Sequence, residues 1–163
     1  MKKLFALALC CLILAGCAFQ QTPREDESGT VIPSGAVDTL PPQIPLSIYV
    51  PGENAENFEI LDYTISELEP YFIVAILVDE GVLSPEVMLW QAEFAGTQLN
   101  LDFNQAFADQ LNTYGTSGER MMMGCVVNTF LRAYDMETVY ITVEGEILES
   151  GHVIYDFPMG FFE

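Results

Sequence analysis

The segment ERMMMGCVVNTFLRAY, residues 119–134, has almost no polar side. Wound as an α-helix, it puts Met123, Val127, Phe130 and Tyr134 on one stripe and Met122, Cys125, Val126 and Thr129 on the stripe beside it. A surface helix carries one apolar stripe, so a helix dressed like this must be covered on more than one side. The covering layers are expected from its neighbours in sequence. Upstream, TQLNLDF (97–103) alternates, with Leu99, Leu101 and Phe103 on one face and Gln98, Asn100 and Asp102 on the other. Downstream, TVYITVEG (138–145) alternates in the same way. Period-two patterns flanking a helix with two apolar stripes describe half-buried strands packed on that helix.

Further out, VMLWQAEF (87–94) and TQLNLDF flank Ala95-Gly96, a hairpin signal. Asn104 to Leu111 suits a short helical turn, and Thr116-Ser117-Gly118-Glu119 reads as a capping box for the long helix. LSIYV (46–50) is β-rich, and Pro51-Gly52 with ENAEN turns the chain into a second strand, Phe58 to Ile65. Ser66-Glu67-Leu68-Glu69 reads as another capping box, before Pro70 and a run of Phe72, Ile73, Ile76 and Leu77 at helical spacing that Gly81 ends. GHVIYDF (151–157) reads as a last short strand. The order predicts an α+β fold, a mixed β-sheet with two main helices packed on one face.

The N-terminus has a different character. Lys2 and Lys3 precede 16 uncharged residues, Leu4 to Phe19, and a spanning helix needs about 20. A basic start, a short apolar body and small residues at its end describe a secretory signal. Leu14-Ala15-Gly16-Cys17 matches the lipobox of bacterial lipoprotein signals, in which the Cys17 sulfur receives a diacylglyceryl group and becomes the new N-terminus. Two or more acyl chains anchor a protein stably. Residues 1–16 are therefore expected to leave as a signal peptide. Residues 17–45 follow as lipidated cysteine and tether, in which Pro23, Pro33, Pro41, Pro42 and Pro45 stand among Gln, Glu, Asp, Ser and Gly. With no apolar face to bury, such a segment stays disordered, and as a flexible coil it spans about 30 Å on average. Residues 46–163 make one ordinary domain.

After processing, Arg24, Arg120 and Arg132 face 24 acidic side chains, a formal charge of −21. Such a surface repels phosphate backbones, which argues against nucleic acid. It is repelled by anionic headgroups too, leaving the lipid as the membrane contact. It favours a basic protein partner over close self-association. Cys10 and Cys11 leave with the signal and Cys17 is acylated, so Cys125 stands without a disulfide partner.

Few residues offer chemistry. His152 is the one histidine, and Cys125 lies mid-helix among Val and Met, which reads as a packed thiol rather than half of a Cys-His dyad. His152 reads as a structural residue donating to a nearby carbonyl or carboxylate. Asp102 and Asp156 would serve as a general acid and base if brought together, and Asp102 alone reads as a hydrogen-bonding carboxylate at a turn. No EF-hand loop, no Cys/His metal spacing and no phosphate-cradling glycine motif occurs, so neither a metal nor a cofactor is expected. Trp90, Phe157, Phe161 and Phe162 are expected in the core and in C-terminal packing. Strand 46–50, uncharged between two prolines, is expected to be an open sheet edge where Ser47, Ile48 and Tyr49 dock a partner.

LSIYVP, LNLDFNQAF, VVNTFLRAY, VYITVEGE and GHVIYDFP occur in the order seen in GerMN domains, and the chain resembles that family over residues 46–160. The matching positions are Asp102 with Phe107, Asn128-Thr129, Gly145 in a V-x-G turn, and Gly151-His152 before Pro158. GerMN domains are sporulation and germination modules of envelope lipoproteins, similar in fold to the ring-building domains of secretion machinery. The resemblance implies a non-enzymatic scaffold or interaction module on the outer face of the membrane, with Asp102, Phe107, Thr129, Gly145, Gly151 and His152 as structural motif residues. This chain carries one such module where the sporulation prototype carries two. A small-solute or wall-glycan binding lipoprotein is the alternative, marked by a deep aromatic-lined pocket. An envelope hydrolase would need His152, Cys125 or Asp102 to converge in one cleft.

Overall fold

The structure, a computed structural model, describes residues 41–163. The signal segment, Cys17 and most of the tether lie outside the described residues. Strand β1 (Ile44–Pro51) pairs antiparallel with β2 (Phe58–Ile65), Ile48 opposite Leu61. Ile44 and Pro45, assigned to the tether by composition, thus belong to β1. Helix α1 (Pro70–Asp79) leads to β3 (Leu89–Ala95), which turns through Gly96 into β4 (Gln98–Phe103). Helices α2 (Gln105–Leu111) and α3 (Thr116–Tyr134) carry the chain over to β5 (Thr138–Val143), which lies parallel to β4 with Leu101 opposite Ile141. A crossover of this length is what parallel neighbours require. The two-residue β6 (Glu146–Ile147) returns on β5 through Glu144 and Gly145, whose φ values of 54° and 80° suit a tight primed hairpin turn.

The fold is α+β, with a mixed four-stranded sheet β3-β4-β5-β6 and helices on one of its faces. Leu99, Leu101, Phe103, Val139, Ile141 and Val143 point inward and are buried, while Asn100, Asp102, Tyr140 and Thr142 alternate onto the helix-free face. The expectation of one sheet needs correction, because β1 and β2 form a separate two-stranded ribbon. The doubly striped helix is the reason. Helix α3 packs against β1, β5 and α1, and every residue from Met121 to Leu131 is buried. The ribbon and the sheet cover different sides of it. Gly124 permits the close approach of β2, since a Cβ there would lie 2.3 Å from the Phe58 ring.

Both capping boxes are overridden. Glu69 stays extended (φ −121°, ψ 139°) and α1 starts at Pro70, because the residue before a proline is pushed out of the helical region. Extended Gly115 precedes α3, and no side chain caps either helix. The last strand is also absent. The Ser150 hydroxyl captures the amides of His152 (3.1 Å) and Val153 (2.9 Å) and bends the chain. One bridge, Glu149 to Ile154, reaches the stretch expected to be a strand, and a second, Val139 to Met159, lies just beyond it.

Candidate functional site: a buried carboxylate and an open sheet edge

Glu119 is the most constrained polar group. It sits in the first turn of α3, 2% exposed, and faces the segment that follows β6 rather than its own helix end. Ser150 Oγ (2.5 Å) and Tyr155 Oη (2.6 Å) donate to its Oε1, and His152 Nδ1 lies 2.9 Å from Oε2. Burial alone would raise the carboxyl's pKa. The hydrogen bonds from Ser150, Tyr155 and His152, with the charge His152 carries when protonated, outweigh burial and hold it below the usual carboxylate range. Burial and the Glu119 carboxylate together push the Tyr155 hydroxyl well up.

A carboxylate orienting a histidine beside a serine invites comparison with a hydrolytic triad, and the geometry fails it. The serine of a triad hydrogen-bonds the ring nitrogen opposite the carboxylate. Ser150 instead donates to the carboxylate itself and accepts two backbone amides of its own loop. Cys125 is fully buried, its thiol pushed up to about 12 by burial, and so remains protonated. Sequence reasoning missed Glu119, reading it as a helix cap. An acid at the head of an apolar helix is where a cap is ordinarily found, so the sequence carried no signal that set it apart.

The residues singled out by motif are placed as follows. Asp102 Oδ1 on β4 accepts Thr142 Oγ1 (2.6 Å) on β5 and the amide of Gly145 (2.8 Å), pinning the β5–β6 turn. Phe107 is fully buried, its ring stacked on Phe103 at 4.4 Å. Thr129 Oγ1 accepts the Tyr49 amide (2.9 Å), and Asn128 clamps both the amide and the carbonyl of Phe162. The Gly151 amide donates to Asn112 Oδ1 at 2.8 Å. His152 and Asp102 serve separate networks, and Asp156 is exposed. Among the described residues no group of three metal-ligating side chains converges, and no helix is long and apolar enough to cross a membrane.

Two surface expectations change. Ser47 is half-buried, but Ile48 and Tyr49 are buried, and the outward amide of Tyr49 is taken by Thr129. The middle of the β1 edge is closed by α3. The aromatic residues assigned to packing are partly outside: Trp90 is 52% exposed, Phe157 48% and Phe161 55%, while Phe162 is partly buried near Gly124. Trp90 stands at a bulge in β3, the outermost strand of the sheet, where the register slips between Leu89 and Gln91. A bulged residue lies outside the inward–outward alternation of its strand, so its size alone did not place it in the core.

No family model matches the sequence, and no curated protein matches it. Among solved structures, the tandem GerMN domains of the sporulation protein GerM from Bacillus subtilis superpose with a TM-score of 0.53 at 18% identity, over 74% of this chain. The match takes in 45% of that tandem protein, so this chain spans less than half its length. A Clostridium perfringens protein assigned as a lipoprotein matches over 72% of this chain and 87% of its own, with 15% identity and a TM-score of 0.49. The chain has the fold of a GerMN domain.

Proposed function

We propose that this chain is a lipid-anchored, non-enzymatic interaction module on the outer face of a bacterial cell membrane. One observation carries the reading. The side chains that offer chemistry are engaged in hydrogen bonds that tie distant segments together: Glu119 with Ser150, His152 and Tyr155, and Asp102 with Thr142 and the Gly145 amide. Large aromatic side chains, by contrast, are left in solvent. Cys17 supplies the anchor, residues 18–43 the tether, and the domain meets other envelope proteins, basic ones foremost given its acidity. The fold shared with a sporulation protein supports a role in assembling the envelope during sporulation, germination or septation. The solute- or glycan-binding alternative has less support. A cleft of about 600 Å³ lies between the 54–58 turn and the start of α3, and its lining contains one aromatic ring, Phe58. Cells fed labelled palmitate should label the protein, and Cys17→Ser should abolish both labelling and signal cleavage. Undiminished labelling of Cys17→Ser would end the anchored reading.

A further inference from the structure

Docking needs a surface, and the strands are not equal candidates. The β1 edge is closed at Tyr49, β6 has two residues, and β2 carries Glu59 and Asp62. Strand β3 is terminal in its sheet, contains no proline, and keeps an unbroken register with β4 from Gln91 to Ala95. Its single charge is Glu93. Most natural edge strands are blunted by lysine, proline or a covering element. Here the bulge at Trp90 marks only the start of the strand.

Beside that start runs an apolar groove of about 440 Å³ between α1 and residues 85–89, lined by Tyr71, Val74, Ala75, Val78, Val87 and Met88, with Asp79 as its charged residue. Tyr71 is 53% exposed and Met88 56%, and the Tyr71 hydroxyl reaches the Trp90 carbonyl at 3.3 Å. Further along, Phe94 (48% exposed), opposite inward Leu99, extends the apolar surface along β3, and exposed Trp90 stands at the strand's start just outside the groove lining. The polar border is acidic throughout: Asp79 in the groove, exposed Glu86 between two lining residues, and Glu93 on the helix-free face. The two arginines of residues 41–163, Arg120 and Arg132, lie outside the groove lining. A second copy would set acid against acid.

We propose that β3 and the α1 groove receive an extended basic segment of a partner protein, added to the sheet as a further strand. Side chains alternate along such a strand. Its apolar residues enter the groove beside Tyr71 and Met88, its lysines or arginines meet Glu93 on the other face, and a basic residue at its end reaches Asp79 and Glu86. Backbone pairing supplies affinity, and the alternation supplies selectivity.

This inference rests on the interaction-module reading, and its test is separable from it. The full chain, in detergent, is titrated with a fluorescent peptide of alternating valine and lysine. Valine–glutamate and proline-interrupted versions serve as controls, and backbone amide exchange is followed. The valine–lysine peptide is expected to bind, to slow exchange across residues 91–95, and to weaken with salt. Glu93→Lys and Trp90→Ala, both at exposed positions, are each expected to weaken it about tenfold. Equal binding of the proline-interrupted or valine–glutamate peptide, unchanged exchange in β3, or indifference to both substitutions would overturn the proposal. So would self-association of the chain that competes with the peptide, which makes a second copy the occupant. If the peptide fails while Cys17 labelling stands, β3 alone is wrong. If the labelling fails, the anchor is wrong and the peptide result stands.

Discussion

Glu119 is held as a buried anion by three side chains, and that makes it the acid-sensitive point of the fold. Its carboxyl pKa is depressed in the folded state, so the stability it contributes is fully present above the unfolded value of about 4.3 and is lost as pH falls below it. Unfolding free energies measured by urea titration from pH 7 to 3 should fall with acid, and Glu119→Gln should flatten that slope. Glu119→Ala, which strands three donors, should cost about 2–4 kcal/mol at pH 7. The hydroxyl of Tyr134 has the opposite character, because it is buried and no hydrogen-bond partner meets it among the described residues. Tyr134→Phe should raise stability by about 1 kcal/mol, measured in the same titration. Little of this was legible in sequence. His152 was readable as a donor to a carboxylate, but its partner lies 33 residues away, and nothing local distinguishes a helix-capping glutamate from a buried anchor.

Elements were far more legible than their termini or their partners. The periods of β4 and β5, and the double stripe of α3, appear in the structure with the same residues inward, because alternation and helical stripes are properties of contiguous sequence. The two helix starts were misread where a local rule was beaten by another: the residue before Pro70 cannot turn helical, and Glu119 is drawn away by Ser150, His152 and Tyr155. The separation of the β1–β2 ribbon from the main sheet was illegible, since α3 imposes it. Gly124 offers a direct test of that packing. Alanine there gains about 1 kcal/mol of helix propensity, but its Cβ meets the Phe58 ring at 2.3 Å, and overpacking costs about 1–3 kcal/mol. Gly124→Ala should therefore destabilise by about 1 kcal/mol in urea, and adding Phe58→Leu should restore part of the loss. A simple gain in stability would mean that the ribbon is not seated on α3 as described.

At the scale of the molecule, the acidic domain of residues 44–163 ties its polar side chains into internal hydrogen bonds and leaves the aromatic residues of β3 exposed, and the anchor and tether proposed above would hold it at the membrane. Charge was plain in the sequence, because it is a sum over residues. The edge proposed for docking was not, since which strands lie at the sheet's edges follows from a topology that sequence order does not fix. The central claim, that surface contact rather than catalysis is the work of this protein, is tested most directly in cells whose sole copy is a variant. Ser150→Ala with His152→Gln removes the hydroxyl and imidazole that a catalytic reading needs, and Tyr134→Phe is added to offset lost stability. A second strain carries Trp90→Lys with Glu93→Lys, changing only exposed side chains. With protein levels matched, the first strain should grow, divide and, where the host forms spores, sporulate like the parent, while the second should behave like a deletion. A deletion-like first strain beside a parental second strain would contradict the account.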